Sequence, residues 1–181
     1  MKGMVFNLLE EFVVDNYGQD AFEDIYESTK LQTTDPFVGP ATYPDKDFMA
    51  LVETACQKLN VPLADAVRAF GKYCFPKLVE IEPSFVNNPK NAKDFLKTVH
   101  DIIHVEVKKL HPDAELPTFE YNDPGKNQLQ MIYNSPKKLC IFAEGLIKGC
   151  GEHYKEKISC KQIKCCNNGD DCCVFDLEFS K

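Results

Sequence analysis

One amphipathic segment, residues 94–111, constrains the fold of this chain more than any other feature. His100 and His104 lie four residues apart on its flank. A histidine at an apolar helix face needs a partner, because a buried ring nitrogen must form a hydrogen bond or bind a metal. The apolar residues recur at three- and four-residue spacing, which predicts one helix with one buried side; they are Phe95, Val99, Ile102, Ile103, Val107 and Leu110.

Three kinds of partner are compatible with these histidines. The first is a backbone group in an ordinary protein core. The second is a catalytic metal ion, because the run from His100 to His104 differs from the His-Glu-x-x-His pattern of zinc proteases by an Asp at the position of the Glu base. That Asp is one methylene shorter, and the sequence offers no obvious third ligand. The third is a large apolar cofactor, chiefly haem, bound through a single axial histidine.

Helical patterns come first in the chain and strand patterns come last. Helices are predicted over residues 1–17, 21–28, 45–59, 63–74 and 91–111, and Phe75-Pro76 should break or kink the fourth. Strands are predicted over residues 119–121 and 127–133 around a turn at 122–125, and over 158–166 and 172–179 after a helix at 139–154. The predicted fold class is α+β, as one domain (1–181) with a helical part over 1–62 and a mixed part with an antiparallel sheet over 63–181.

Composition narrows the class of protein further. The chain has 181 residues, of which 44% are apolar, enough for one domain that encloses a cofactor. Its net charge of -7 argues against nucleic acid and anionic membranes as partners. No apolar run is long enough to span a membrane, and the acidic pair Glu10 and Glu11 argues against a signal peptide. We therefore expect a cytoplasmic protein.

Cysteines are unusually dense near the end of the sequence. The chain has nine, and five of them lie between Cys160 and Cys173. In a cytoplasmic protein such a cluster indicates metal or redox chemistry rather than structural disulfides.

Two motifs around the amphipathic segment carry a family resemblance. His104 precedes Pro117 by thirteen residues in a His-to-Pro-x-Phe arrangement, and Tyr133-x-Ser135-x-Lys137 matches a Tyr-x-Ser-x-Arg signature except at its last position. With these motifs the whole chain resembles the haem-nitric oxide/oxygen binding (H-NOX) family, and in particular its bacterial stand-alone members related to the sensor domain of soluble guanylate cyclase.

The resemblance implies a haem b site between the two parts of the domain. His104 would be the axial iron ligand, and Pro117 would pack on the ring. Tyr133, Ser135 and Lys137 would bind the propionates, because alternate residues of an extended segment point the same way. Lys137 keeps the charge of the family arginine but lacks its planar fork, so the clamp should be weaker. Lys138 could substitute for it if the chain turns after Pro136.

The same resemblance implies an apolar gas-binding face. Oxygen-binding relatives place a tyrosine on the C-terminal helix to donate a hydrogen bond to the gas, whereas the corresponding residue here is Phe142. Val5, Leu9 and Leu146 are expected on the same face and are also apolar. Such a face suits nitric oxide, which needs no hydrogen bond, and discriminates against oxygen.

Some bacterial members of the family also carry a zinc site. Cys140, Cys165 and Cys173 match it in register, while its fourth position falls on Gln162. Cys160 is the alternative fourth ligand, since two residues along a strand keep the same face and span about 6.6 Å. Cys166 and Cys172 are neighbours that could exchange with the ligands or form disulfides.

The expected function is gas sensing without catalysis. Nitric oxide would bind the haem, and a separate signalling protein, such as a histidine kinase or a cyclic-di-nucleotide enzyme, would respond. Two alternatives stay open at this point: a redox sensor that acts through the cysteine and zinc cluster, and a metal-dependent hydrolase that uses His100 and His104.

Overall fold

The expected α+β class is confirmed in the computed structural model, which describes residues 1–180. In this part of the chain, seven α-helices come first, and four antiparallel strands follow in the spatial order β1-β2-β4-β3, with one more α-helix between the second and third strands of the chain. The chain divides into two compact units, Met1–Phe70 and Gly71–Lys181. None of the helices within residues 1–180 is long and apolar enough to cross a lipid bilayer.

The first unit is built from helices α1 (Gly3–Tyr17), α2 (Gln19–Ser28) and α3 (Asp45–Leu59) and the beginning of α4 (Leu63–Ile81). One buried charge organises it: Asp47 is 1% exposed, and its carboxylate accepts hydrogen bonds from the amides of Gln32 and Thr33 at 2.8 and 3.0 Å. These bonds attach the loop before α3 to the helix. The apolar core around it contains Phe6, Leu9, Val13, Ile25, Phe48 and Leu51.

Helix α4 continues past the point where the sequence predicts a break. It runs through Pro76 to Ile81, so the predicted end near residue 74 is wrong. Proline removes the amide that would bond the carbonyl of Lys72. That carbonyl lies against helix α8 (Cys140–His153), where a Cβ added to Gly149 would be 2.8 Å from it. Close packing between the two helices thus holds the segment in a helical conformation.

The second unit packs helices against one face of the sheet. After α5 (Ser84–Asn87) and α6 (Ala92–Thr98) come a π-helical turn (Val99–Ile103) and α7 (His104–Leu110). The sheet contains β1 (Thr118–Gly125), β2 (Gln128–Asn134), β3 (Lys157–Lys164) and β4 (Cys173–Ser180). Its core residues include Phe95, Leu129, Met131, Ile147, Phe175 and Leu177.

Two details of this unit differ from the sequence-based predictions. The helix predicted over 91–111 is interrupted by the π-turn, although Asn91 caps its start by accepting a hydrogen bond from the Asp94 amide at 2.8 Å. The turn predicted at 122–125 comes later, since β1 extends to Gly125. Lys93 bonds the hairpin tip, donating to the Gly125 carbonyl at 2.6 Å and to Asp123 at 2.5 Å. These contacts extend the strand past the expected turn.

Candidate functional site

His104 is the first residue of α7 and directly follows the π-turn. Its Nδ1 lies 3.0 Å from the Pro117 carbonyl oxygen. Since that oxygen can only accept, Nδ1 carries the proton and Nε2 keeps a lone pair. Burial lowers the pKa of His104, the bond to Pro117 opposes that shift, and nearby His100 lowers the pKa further. The ring is therefore neutral near pH 7, the form in which histidine binds metals.

His100 has a different partner. Its Nδ1 accepts a long hydrogen bond of 3.4 Å from the amide of Phe119. The two histidines thus bind successive parts of the segment that leads into β1. Among residues 1–180, no group of three metal-ligating side chains includes either histidine, so the geometry offers no support for the hydrolase alternative.

Aromatic rings surround the His104 side. The Phe119 ring centroid lies 5.9 Å from that of His104 and 5.5 Å from that of Tyr133. Phe119 also stacks on Tyr121 at 6.3 Å. The imidazole therefore faces an apolar, aromatic wall formed by the sheet.

Tyr133 lies at the end of β2, whereas Ser135 and Lys137 lie in the turn that follows the strand. Strand β2 ends at Asn134, so the prediction of an extended segment through residue 137 is wrong. The Tyr133 hydroxyl accepts from the Leu139 amide at 3.1 Å, and Ser135 Oγ accepts from the Lys137 amide at 3.2 Å. A tight turn, closed by the bond from Lys138 N to the Ser135 carbonyl at 3.2 Å, positions these residues.

The Lys137 ammonium has a partner that the motif did not reveal. Its Nζ lies 3.0 Å from a carboxylate oxygen of Glu115, and the lysine side chain is only 16% exposed. Glu115 belongs to the loop that also contains Pro117. The turn that follows β2 covers residues 135–138, and we call it the Tyr133 turn. This ion pair links the Tyr133 turn to the loop that bonds His104.

The four residues expected at the gas-binding face lie on two helices. Val5 is half-buried and Leu9 is buried on α1, in the first unit. Phe142 and Leu146 are half-buried on α8, in the second unit. All four side chains lack a hydrogen-bond donor.

Three of the predicted zinc ligands converge. The Sγ atoms of Cys140, Cys165 and Cys173 all lie within 4.8 Å of one another, and those of Cys140 and Cys165 are 3.8 Å apart. Burial raises the pKa of both Cys140 and Cys173. All nine cysteines lie within residues 1–180, and no disulfide forms among them.

Cys160 is not part of this thiol cluster, which we define as Cys140, Cys165 and Cys173. It pairs with Leu177 across the sheet, whereas Gln162 pairs with Phe175, closer to Cys173. Cys166 was not predicted as a ligand, yet its Sγ lies 3.2 Å from that of Cys173. Sequence position alone could not reveal this, because a turn of 3-10 helix, Cys166–Asn168, brings the two thiols together.

Known proteins are similar to this chain in both sequence and fold. A family profile described as HNOB, Haem-NO-binding, matches residues 2–162. An H-NOX protein from S. oneidensis, solved in the Fe(II)NO state, has 31% identity, covers 100% of both chains and gives a TM-score of 0.93. The H-NOX from Shewanella woodyi, bound to IWP-051 in the Fe(II)CO state, has 33% identity over 98% of this chain and 94% of that one, with a TM-score of 0.85.

A third structure is more distant in sequence. The unliganded Fe(II) H-NOX protein from K. algicida has 26% identity over 100% of this chain and 97% of that one, with a TM-score of 0.88. The family match covers the motifs around His104 and Tyr133 and ends before Cys165 and Cys173.

Proposed function

Because this chain belongs to the Haem-NO-binding family, we propose that it is a haem-based sensor of nitric oxide whose axial iron ligand is His104. The observation that carries the proposal is the bond between His104 Nδ1 and the Pro117 carbonyl. It selects the tautomer with a lone pair on Nε2 and orients the ring, which is how a backbone carbonyl supports a metal-binding histidine. Haem, when bound, supplies the iron that takes up the gas.

The Tyr133 turn is the proposed clamp for the haem propionates. The Lys137 side chain is mostly buried, Ser135 lies in the same turn, and Tyr133 lies at the end of β2 just before it. Charge-assisted hydrogen bonds from such groups are stronger than neutral ones. Pro117 contributes a rigid apolar surface, and its carbonyl connects that surface to His104.

The proposed selectivity for nitric oxide follows from the side chains of α8. Phe142 and Leu146 have no hydroxyl or amide group to donate to a bound gas. Oxygen bound to iron becomes polar and gains from such a donor, whereas nitric oxide does not need one. We propose that the signal is read by a separate protein, such as a histidine kinase or a cyclic-di-nucleotide enzyme, and that this chain has no catalysis of its own.

The test is the absorbance spectrum of the purified protein with and without nitric oxide. We expect a strong Soret band that shifts when nitric oxide is added to the ferrous protein. His104→Gly should lose haem unless imidazole is supplied, while the matched change His100→Ala should retain it. Retention by His104→Gly without imidazole, or loss only in His100→Ala, would refute the assignment.

A second candidate function belongs to the thiol cluster, where we propose a zinc ion. Three sulfurs within 4.8 Å of one another form a donor set that suits zinc. The contact of 3.2 Å between Cys166 and Cys173 adds a redox route, because a disulfide between them would remove one zinc-binding thiolate. Metal analysis should give about one zinc per chain under reducing conditions. Zinc should be lost in Cys165→Ser and Cys173→Ser and after treatment with a thiol oxidant, and zinc retained in both variants would leave the cluster as ordinary thiols.

A further inference from the structure

The position on β3 that faces the thiol cluster is occupied by Gln162. Its side-chain amide lies next to the Cys140 thiol. The Nε2 atom of Gln162 is itself buried and has no hydrogen-bond acceptor among residues 1–180. A buried donor without an acceptor is costly, and the group placed next to it is a sulfur. The sulfur of Cys140 would supply the missing acceptor if it bound a metal ion.

Two further N–H groups already point at sulfur atoms of the cluster. Asn167 Nδ2 donates to Cys140 Sγ at 3.3 Å, and the Cys166 amide donates to Cys173 Sγ at 3.3 Å. Such donors stabilise negative charge on thiolates and orient them, as outer contacts of metal sites do. Together with Gln162 they surround the cluster with N–H donors. The Cys166 sulfur lies 3.2 Å from that of Cys173 but is outside the group of three sulfurs that all lie within 4.8 Å of one another.

The sulfur spacing agrees with this interpretation. Zinc–sulfur bonds of about 2.3 Å in tetrahedral geometry place two sulfurs about 3.8 Å apart. The Cys140 and Cys165 sulfurs lie at 3.8 Å, so this pair needs no rearrangement. Cys160 lies two positions from Gln162, and a step of about 6.6 Å along the strand separates them. Cys160 therefore stands too far along β3 to close the site.

We propose that the thiol cluster is a metal site with three protein ligands and an open fourth position, in which Gln162 donates a hydrogen bond to the Cys140 thiolate instead of binding the metal. This rests on the proposed zinc site and specifies its coordination. Structural zinc sites are closed by four protein ligands, whereas an open position takes water or another small donor. A small thiol in solution is therefore a ligand that this site can accept, and exchange of the metal should be faster than at a closed site.

The experiment compares the cobalt-substituted wild type with Gln162→Cys and Cys160→Ser. X-ray absorption at the metal edge should count three sulfurs and one lighter atom in the wild type and in Cys160→Ser, but four sulfurs in Gln162→Cys. Adding 2-mercaptoethanol should change the visible spectrum of cobalt in the wild type and leave Gln162→Cys unchanged. Circular dichroism confirms that each variant is folded.

Each outcome has a distinct meaning. Loss of one sulfur in Cys160→Ser would show that Cys160 is the fourth ligand and overturn the proposal, as would four sulfurs in the wild type. Gln162→Leu tests the donor: it should keep three sulfurs but bind cobalt at least about tenfold more weakly, because a charged hydrogen bond contributes roughly 1.5–3 kcal/mol. Unchanged affinity in Gln162→Leu would reject that role. Absence of bound metal in every protein would instead refute the zinc site itself.

Discussion

At the scale of single residues, the candidate haem site depends on the backbone atoms of Pro117 as well as on its side chain. The spacing of His104 and Pro117 could be read from the sequence, and the interpretation there assigned the proline ring a role. The structure adds the Pro117 carbonyl, which bonds Nδ1. A backbone oxygen has no signature in a sequence, since every residue carries one. The backbone partner considered first for the histidines is therefore correct for one nitrogen of His104 and leaves the other for a metal.

Lys137 is the residue for which we make the first prediction. Lys137→Ala should speed haem dissociation by about tenfold or more, because a partly buried charged contact contributes roughly 1.5–3 kcal/mol. Its side chain is 16% exposed. The matched control is Lys161→Ala, an exposed lysine on β3. Haem transfer to an apo-globin acceptor measures both rates, and equal rates in Lys137→Ala and the wild type would exclude the clamp.

At the scale of elements, the π-turn shows where sequence patterns stop being informative. The apolar residues from Phe95 to Leu110 predict a helix, and helices indeed occupy both ends of the segment. A π-turn and an α-helix use the same residue types, and the choice between them depends on contacts with other elements. Here such contacts come from β1, whose Phe119 amide bonds His100 at 3.4 Å. The predicted end of α4 before Pro76 is wrong for the same reason, because contacts with α8 keep this segment helical.

The π-turn carries the second prediction. Because such a turn contains one extra residue, deleting exposed Asp101 should restore a continuous α-helix while keeping both flanking segments in register. We expect the deletion to retain haem and to slow amide exchange over residues 99–103. The change in exchange that nitric oxide causes in α7 should become smaller. Deletion of Glu106 from α7 is the control, since it rotates the rest of α7 out of register. An unaltered response to nitric oxide in the Asp101 deletion would show that the turn has no part in signalling.

The contact between α4 and α8 carries the third prediction. A Cβ at Gly149 would lie 2.6 Å from the Phe75 Cβ and 2.8 Å from the Lys72 carbonyl oxygen. Gly149→Ala should therefore destabilise the protein by about 1–3 kcal/mol, as overpacking does. Gly39→Ala serves as the control, because a Cβ there meets no atom within 4 Å. Urea denaturation of both variants measures the difference, and a Gly149→Ala variant as stable as the wild type would contradict the close approach.

At the scale of the whole molecule, the fold class and the family could be predicted from the sequence. The sequence did not identify every residue that completes each candidate site. Periodicity predicted helices before strands, and this order is observed. The Glu115 partner of Lys137 was missed, and the sequence left open whether Cys166 or Cys172 lies next to a ligand. Both depend on turns that bring chain segments together. Local spacing identifies which residues are chemically suited to a site, and tertiary structure decides which of them meet.

Gas selectivity is the prediction that concerns the molecule as a whole. The ferrous protein in air should show no oxygen-dependent shift of its Soret band, yet should bind nitric oxide tightly. Phe142→Tyr should raise oxygen affinity, since a hydrogen bond in a dry pocket gives about 1–3 kcal/mol. Ile141→Tyr, at the neighbouring position of α8, is the control for added bulk and polarity. A stable oxygen spectrum from the unmodified protein would make it an oxygen sensor instead.

Lys93, which bonds the β1–β2 hairpin, helps to attach helix α6 to the sheet. Lys93 and its neighbour Lys97 both bind Asp123, so α6 is anchored to the sheet just before the π-turn. Within the described residues, 1–180, α7 has no such pair of lysines on one carboxylate, and its Val105 and Leu110 side chains are 47% and 71% exposed. We therefore expect that a displacement of His104 would move α7 while α6 stays attached to the sheet, with the largest movement at Leu110, the far end of α7.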